Sequence, residues 1–281
     1  HASLRRVMEN SWQLLPAPAQ EMLAQLSIFR GGFHREAALA VTGGSLNGLV
    51  ALVNASLLQQ QEAGRYELHE MVRQFAWERL AASPDGGAQS QASHARYYLA
   101  LIGRVEPNSL LIEEVSRELA NVRKAWDWAV EQRDLFALAG ASSGLWNFYL
   151  RKGLFQEAEE AFGRAIGSAL ETPAETKGRR RALAGLRVAQ AVFLNIRSNY
   201  AEAIAVAEEA ISYALQEENE TIIARGYLQW GTALYRQGHY TDAIARFRMA
   251  LLAAQDGGLV GDQADILRQR GVAWLGQGDF A

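Results

Sequence analysis

The sequence predicts a mainly α protein in which a compact helical module with a short β-hairpin precedes an array of paired helices. Two observations support this. In the C-terminal half, a pattern of an aromatic residue followed by small residues at helical spacing recurs at a fixed interval. Near the N-terminus, short amphipathic segments separated by Pro and Gly precede two segments with a strand-like pattern. With 281 residues and 49% hydrophobic content, the chain can bury a sizeable core.

The repeat has a period of 40 residues, because aromatic residues open equivalent segments at Tyr200, Tyr240 and Phe280. An earlier copy begins at Phe155, displaced by 45 because the loop at 171–178 is longer. Small residues at helical spacing follow each aromatic and allow two helices to approach closely. The three series are Ala158/Phe162/Ala165, Ala203/Ala207/Ala210 and Ala243/Phe247/Ala250.

Several of these residues resemble the tetratricopeptide repeat. Trp230-Gly231, Gly238-His239-Tyr240 and the Ala243/Phe247/Ala250 series fit its pattern, whereas Gln190-Ala191 departs from it. The resemblance implies an α-α superhelix of tetratricopeptide-like repeats over residues 138–281. We expect this array to be incomplete at the C-terminus, because the pattern stops part-way through a copy.

Residues 1–83 predict a different domain. The helices are expected at 4–15, 19–28, 35–41, 46–54 and 70–82, and a hairpin of strands 56–60 and 65–68 precedes the last of them. This order, helices followed by a two-stranded wing, is typical of a winged-helix domain. A Pro/Gly-containing linker begins at Ser83, and residues 84–137 are expected to be a helical coupling segment.

The N-terminal module resembles the winged-helix region of STAND ATPases, a superfamily that includes bacterial transcriptional activators. The resemblance rests on four stretches: Ser3 to Trp12, Leu26 to Phe33, Ser56-Leu57-Leu58, and Tyr66 to Glu70. Leu68-His69-Glu70 looks like the Met-His-Asp motif of the family, with Leu and Glu as departures. The resemblance implies that His69 senses nucleotide in a parent protein by reaching the phosphates of ADP.

The residues around His69 allow two interpretations of it. A histidine near a helix N-terminus can donate a hydrogen bond to an anion and so bias two conformations. Alternatively, it only caps local backbone groups. By resemblance, ADP keeps the parent closed, inducer plus ATP opens it, and the open form oligomerises.

We expect no enzymatic activity from this chain, because no Gly-x-x-x-x-Gly-Lys-Ser/Thr phosphate loop is present and ADP or ATP would bind elsewhere in the parent. Gly140-Ala141-Ser142-Ser143-Gly144 matches a hydrolase elbow, but its helical surroundings favour close helix packing. No metal site is predicted, since there is no cysteine and the five histidines show no ligand spacing.

Direct binding of nucleic acid is the main competing function. Between Glu36 and Gly64 there is no Lys or Arg, so the helix before the hairpin lacks the side chains that contact phosphates and bases. The run Arg179-Arg180-Arg181 is interpreted as a solvated helix end. We therefore expect no direct contact with nucleic acid, and with no long apolar run or leader we expect a cytoplasmic chain without membrane association.

The favoured function is that of a sensor. The repeats would bind a peptide, a protein or a small-molecule inducer, and the winged helix would couple this event to an upstream nucleotide-binding domain in cis. The predicted groove residues are Asn147, Arg151, Asn195, Arg225, Thr232, Tyr235 and Arg268. A hydrated helix face is an equally valid interpretation of each, and a constitutive protein-interaction scaffold is the alternative function.

Overall fold

The computed structural model describes residues 2–61, 64–106, 109–171 and 177–278, with side chains from residue 5 onward except at position 177. This part of the chain is mainly α, as predicted, with fourteen helices and three short strands. It divides into two compact units. Unit 1 comprises residues 1–104 and 108–129, and unit 2 comprises 105–107 and 130–281. The three predicted domains are not tested by this division and stay a prediction.

Unit 1 begins with helices and a small sheet. Its elements are α1 (Ala2–Gln13), α2 (Ala17–Leu26), β1 (Phe33–His34), α3 (Arg35–Thr42), α4 (Leu46–Asn54), β2 (Gln59–Gln60), β3 (Arg65–Glu67), α5 (Glu70–Ala81), α6 (Ala88–Gly103) and α7 (Leu111–Glu131). α7 extends two residues past Ala129, where unit 1 ends. The helix predicted at 46–54 has the expected bounds because Ser45 caps it: the Ser45 side chain accepts a hydrogen bond from the Gly48 N–H.

The sheet has three antiparallel strands in the order β1-β3-β2. Phe33 pairs with Tyr66, and Gln60 pairs with Tyr66 from the other side. The predicted hairpin is therefore present, although its strands are shorter than the predicted 56–60 and 65–68. β1 was absent from the prediction, because a strand of two residues is too short to show an alternating pattern.

The core of unit 1 is built on large aromatic side chains. Phe29 and Phe33 lie with ring centroids 4.3 Å apart, and Tyr98 is fully buried beside Phe29. Buried aromatic pairs of this kind contribute area and a preferred geometry. They pack the segment that follows α2 against α6.

Unit 2 consists of helices in succession: α8 (Leu135–Lys152), α9 (Phe155–Leu170), α10 (Lys177–Ile196), α11 (Tyr200–Gln216), α12 (Glu220–Arg236), α13 (Tyr240–Asp256) and α14 (Val260–Gln277). The aromatics that define the repeat are the first residues of α9, α11 and α13. The paired-helix repeat is thus confirmed between Phe155 and Asp256. Phe280 and most of the 171–178 loop lie outside the described residues.

Small residues permit close packing in unit 2, as the alanine series predicted. A Cβ on Gly231 would lie 2.6 Å from the ring of the fully buried Phe247. The Gly140-to-Gly144 segment lies inside α8, where the Ser142 hydroxyl donates to the Ala139 carbonyl at 2.9 Å. A Cβ on Gly185 would lie 3.3 Å from that hydroxyl oxygen. The segment is therefore helical, as expected, and within it Ser142 packs beside Gly185.

Among the described residues, no single helix combines the length and apolar character needed to cross a membrane, and the bent pair α3 and α4 passes that test only jointly.

Candidate functional site

His69 lies at the exposed junction between β3 and α5. It is the N-cap residue of α5, and its Nδ1 accepts a hydrogen bond from the Met71 N–H at 3.3 Å. The predicted local capping contact is therefore present. Because Nδ1 acts as the acceptor, the neutral ring carries its proton on Nε2, which remains a donor.

Cationic side chains surround the first turn of α5. Arg73 forms an ion pair with Glu70, and this hydrogen bond, followed by the charges of Arg73 and Arg30, lowers the pKa of the Glu70 carboxyl. Burial, followed by the charge of Arg73, lowers the pKa of Arg30. Two guanidinium groups and a histidine therefore lie near a helix N-terminus, where the macrodipole also favours anions.

Two of the predicted groove residues are asparagines that connect different segments of unit 2. Asn147 donates from Nδ2 to the Val105 carbonyl at 3.0 Å, and its Oδ1 accepts from the Trp146 indole. Asn195 donates to the backbone oxygen of Gln229 at 3.0 Å. The side-chain amide nitrogens of both asparagines therefore donate to groups within the protein.

Arg225 brings three helices together. Its Nε donates to Asp262 of α14 at 3.1 Å, and its guanidinium lies 5.3 Å from the ring centroid of Trp146 on α8. Both Arg225 and Asp262 are about a quarter exposed, so the pair is partly screened by solvent. The sequence interpretation named neither Asp262 nor Trp146 as a partner of Arg225.

The other four predicted groove residues have local surroundings. Arg151 is exposed near the end of α8, and the Thr232 hydroxyl donates to the Leu228 carbonyl at 2.8 Å. Tyr235 lies 5.8 Å from Tyr240 between ring centroids, and Arg268 pairs with Asp265 one turn away. The groove stays a prediction for all seven residues.

A buried polar cluster in unit 1 was not predicted, and we call it the Glu118 network. It comprises Arg65, His94, Tyr98, Glu118 and Asn121. The Glu118 carboxylate, only 3% exposed, pairs with Arg65 and accepts hydrogen bonds from Tyr98 Oη at 2.8 Å and Asn121 Nδ2 at 3.0 Å. A buried carboxylate with these three partners is well compensated.

Asn121 and His94 complete the Glu118 network. Asn121 Oδ1 accepts from the Arg30 backbone N–H at 2.7 Å, and its Nδ2 also donates to the Gly32 carbonyl. His94 lies 3.3 Å from the same Oδ1, and desolvation lowers its pKa to about 3, so the ring is neutral and donates from Nε2. One signal was available: Glu118 and Asn121 interrupt the apolar stripe of α7.

The basic run opens α10, but two of its members bind protein groups. Arg179 donates from Nε to the Ala169 carbonyl at 2.9 Å, and Arg180 pairs with the buried Glu217 at 2.8 Å. The interpretation of Arg179 and Arg180 as a solvated end was therefore wrong. Arg179 reaches the last carbonyls of α9, which lack partners in the helix. Within the described residues, no group of three or more His, Asp or Glu is arranged to hold a metal ion.

No protein-family model matches this sequence, and no curated protein matches it. One solved structure with a similar fold is that of a Signal Transduction ATPase with Numerous Domains (STAND) protein with a tetratricopeptide repeat sensor, from Pyrococcus horikoshii. The identity is 16% and the TM-score 0.45, over 95% of this chain. The chain spans 49% of the length of that protein.

Proposed function

We propose that this chain is the regulatory region of a STAND ATPase. Unit 2 is the tetratricopeptide-like sensor that binds an inducer or protein partner, and the sheet-containing part of unit 1 is a winged-helix domain. This winged helix couples the sensor to a nucleotide-binding domain that lies upstream in the parent. The chain itself has no enzymatic role, and ADP or ATP acts on it through the upstream domain.

The position of His69 carries the proposal. The residue is exposed, its Nε2 is a donor, and it is the N-cap of a helix whose first turn carries the Arg73–Glu70 ion pair, with Arg30 near enough to lower the pKa of Glu70. A diphosphate held by a neighbouring domain is an anion suited to such a surface. The order of α1 to α5, with a small antiparallel sheet before α5, further supports a winged-helix domain.

The array supports sensing through its packing. Its paired helices leave half-buried polar and aromatic side chains such as Trp146 on α8 and Arg225 and Gln229 on α12. Repeat arrays use such surfaces to bind peptides, proteins or small molecules. A parent working in the cytoplasm as a transcriptional regulator that oligomerises on activation is part of the same proposal.

The test measures, by calorimetry, the affinity of this chain for a separately expressed STAND nucleotide-binding domain with and without ADP. We expect association that requires ADP and that weakens about tenfold in His69→Asn, since a hydrogen bond to a charged group contributes about 1.5–3 kcal/mol. Asn retains an N-cap acceptor for the Met71 N–H but lacks Nε2. The matched control is His239→Asn, another exposed histidine at a helix start.

A constitutive scaffold is the second candidate, and the capping contact of His69 with Met71 favours it. In that case the nucleotide-binding domain would associate equally with and without ADP, or not at all, and His69→Asn would behave as the wild type. That result would end the switch proposal and leave the array as a simple binding module.

Binding to DNA is disfavoured by the surface of α4, which precedes the hairpin. Leu46 and Val50 are about half exposed there, and the helix carries no charged residue. A gel shift at low salt tests this point, because phosphate contacts alone produce retardation at low ionic strength. We expect none.

A further inference from the structure

An ion pair joins α7 to the strand that leads to His69. Arg65 is the first residue of β3, and its guanidinium pairs with Glu118 of α7. Only three residues separate Arg65 from His69, and one of them, Leu68, is buried. The backbone between the ion pair and the candidate nucleotide-sensing side chain is therefore short and partly anchored.

Gly32 leaves room for this ion pair. A Cβ at this position would lie 3.1 Å from Arg65 Nη2 and 3.1 Å from the Tyr66 carbonyl oxygen. Because glycine has no side chain, the guanidinium can lie across the backbone just before β1 on its way to Glu118. The Gly32 carbonyl also accepts a hydrogen bond from Asn121, so α7 holds this backbone as well.

The strands themselves hold β3 weakly. They are two, two and three residues long, and β2 is exposed. Isolated strand pairs of this size are marginal in water, so side-chain contacts must fix the position of β3. Separating Arg65 from Glu118 would leave a buried carboxylate without its counter-charge, which is strongly unfavourable. A displacement of α7 is consequently expected to carry β3 with it.

We propose that the Arg65–Glu118 ion pair transmits displacement of α7 to the junction that bears His69. α7 continues two residues beyond the end of unit 1, so it is one of the covalent connections through which an event in the array reaches this ion pair, besides the chain on either side of residues 105–107. This inference rests on the proposed function for the role of His69. It adds the residues that connect that histidine to the sensor.

The test uses the isolated chain and needs no nucleotide. Hydrogen exchange of residues 65–71 and the imidazole NMR signals of His69 are compared between wild type and Glu118→Gln, which keeps the size and acceptor oxygen but removes the charge. We expect exchange at 65–71 to rise at least tenfold and the His69 signals to shift, while α2 exchanges as in wild type. The matched control is Glu78→Gln, which breaks the exposed Arg5–Glu78 ion pair of the same unit; it should change neither readout.

Gly32→Ala provides a second variant that leaves both charges in place. Its methyl group should displace the Arg65 guanidinium and reproduce the local rise in exchange. The proposal is overturned if residues 65–71 and the His69 signals are unchanged in both variants, or if exchange rises uniformly across unit 1. Failure of ADP-dependent association would instead refute the proposed function, so the two outcomes are distinguishable.

Discussion

The two units are stabilised by different kinds of contact. In unit 1, decisive hydrogen bonds join residues far apart in sequence: Arg30 and Asn121 are separated by 91 positions, and Arg65 and Glu118 by 53. In unit 2, helices contact their neighbours in the chain, and even the longer bonds span about one repeat, as between Asn195 and Gln229 at 34 positions. Both cores contain fully buried aromatic rings, but alanine predominates in that of unit 2, whereas that of unit 1 also contains the Glu118 network.

This difference indicates a division of roles. A buried polar network fixes one arrangement of its members, because any other leaves donors or acceptors unpaired. An alanine-lined array stacks by shape and depends on close approach of helices. We therefore expect that shortening a buried side chain in unit 2 lowers the free energy of unfolding strongly. In unit 1, we expect the free energy of unfolding to depend on the protonation of a buried group.

The largest expected effect is that of Phe247→Ala in unit 2. The ring is fully buried and fills the space left by Gly231, so its removal should lower the free energy of unfolding by about 3–5 kcal/mol. Urea denaturation followed by circular dichroism measures the loss. Met249→Ala, on the same helix but 39% exposed, is the matched control and should stay within about 0.5 kcal/mol of wild type. Equal losses in the two variants would contradict the packing argument.

The next effect concerns His94 in unit 1. Burial lowers its pKa to about 3 from an ordinary value of 6.5, so below pH 6.5 the unfolded chain binds a proton that the folded chain excludes. Stability from this residue is thus complete above pH 6.5 and declines as the pH falls towards 3. Each pH unit in this window should cost up to about 1.4 kcal/mol, or about 2 kcal/mol between pH 6.5 and 5.

Unfolding free energies measured at pH 6.5 and pH 5 test this expectation. In His94→Gln, which retains an amide donor for Asn121, the loss between the two pH values should shrink by most of that amount. His239→Gln removes an exposed histidine and should leave the pH dependence of wild type. If the loss of unfolding free energy between the two pH values is the same in His94→Gln as in the wild type, groups other than His94 determine the pH dependence.

The same contrast explains what sequence could predict. The starts of α9, α11 and α13 were predictable because Phe155, Tyr200 and Tyr240 recur within a local periodic pattern. The Glu118 network could not be predicted as a cluster, because its members come from separate segments and only folding brings them together. The partners of Arg225 could not be predicted either, because they lie on α8 and α14, and local helical spacing does not reveal contacts between helices.

The smallest predicted effect concerns the N-termini of two helices in unit 2, one with a side-chain cap and one without. Asp134 caps α8 by accepting from the Ala137 N–H at 3.0 Å, whereas the N-cap residue of α13, His239, makes no side-chain cap. Asp134→Ala should therefore cost about 1 kcal/mol and His239→Ala less than about 0.5 kcal/mol in the same denaturation assay. α13 instead begins with Tyr240, whose ring packs near Tyr235. If His239→Ala cost as much as Asp134→Ala, side-chain capping rather than the aromatic contact would fix the start of α13.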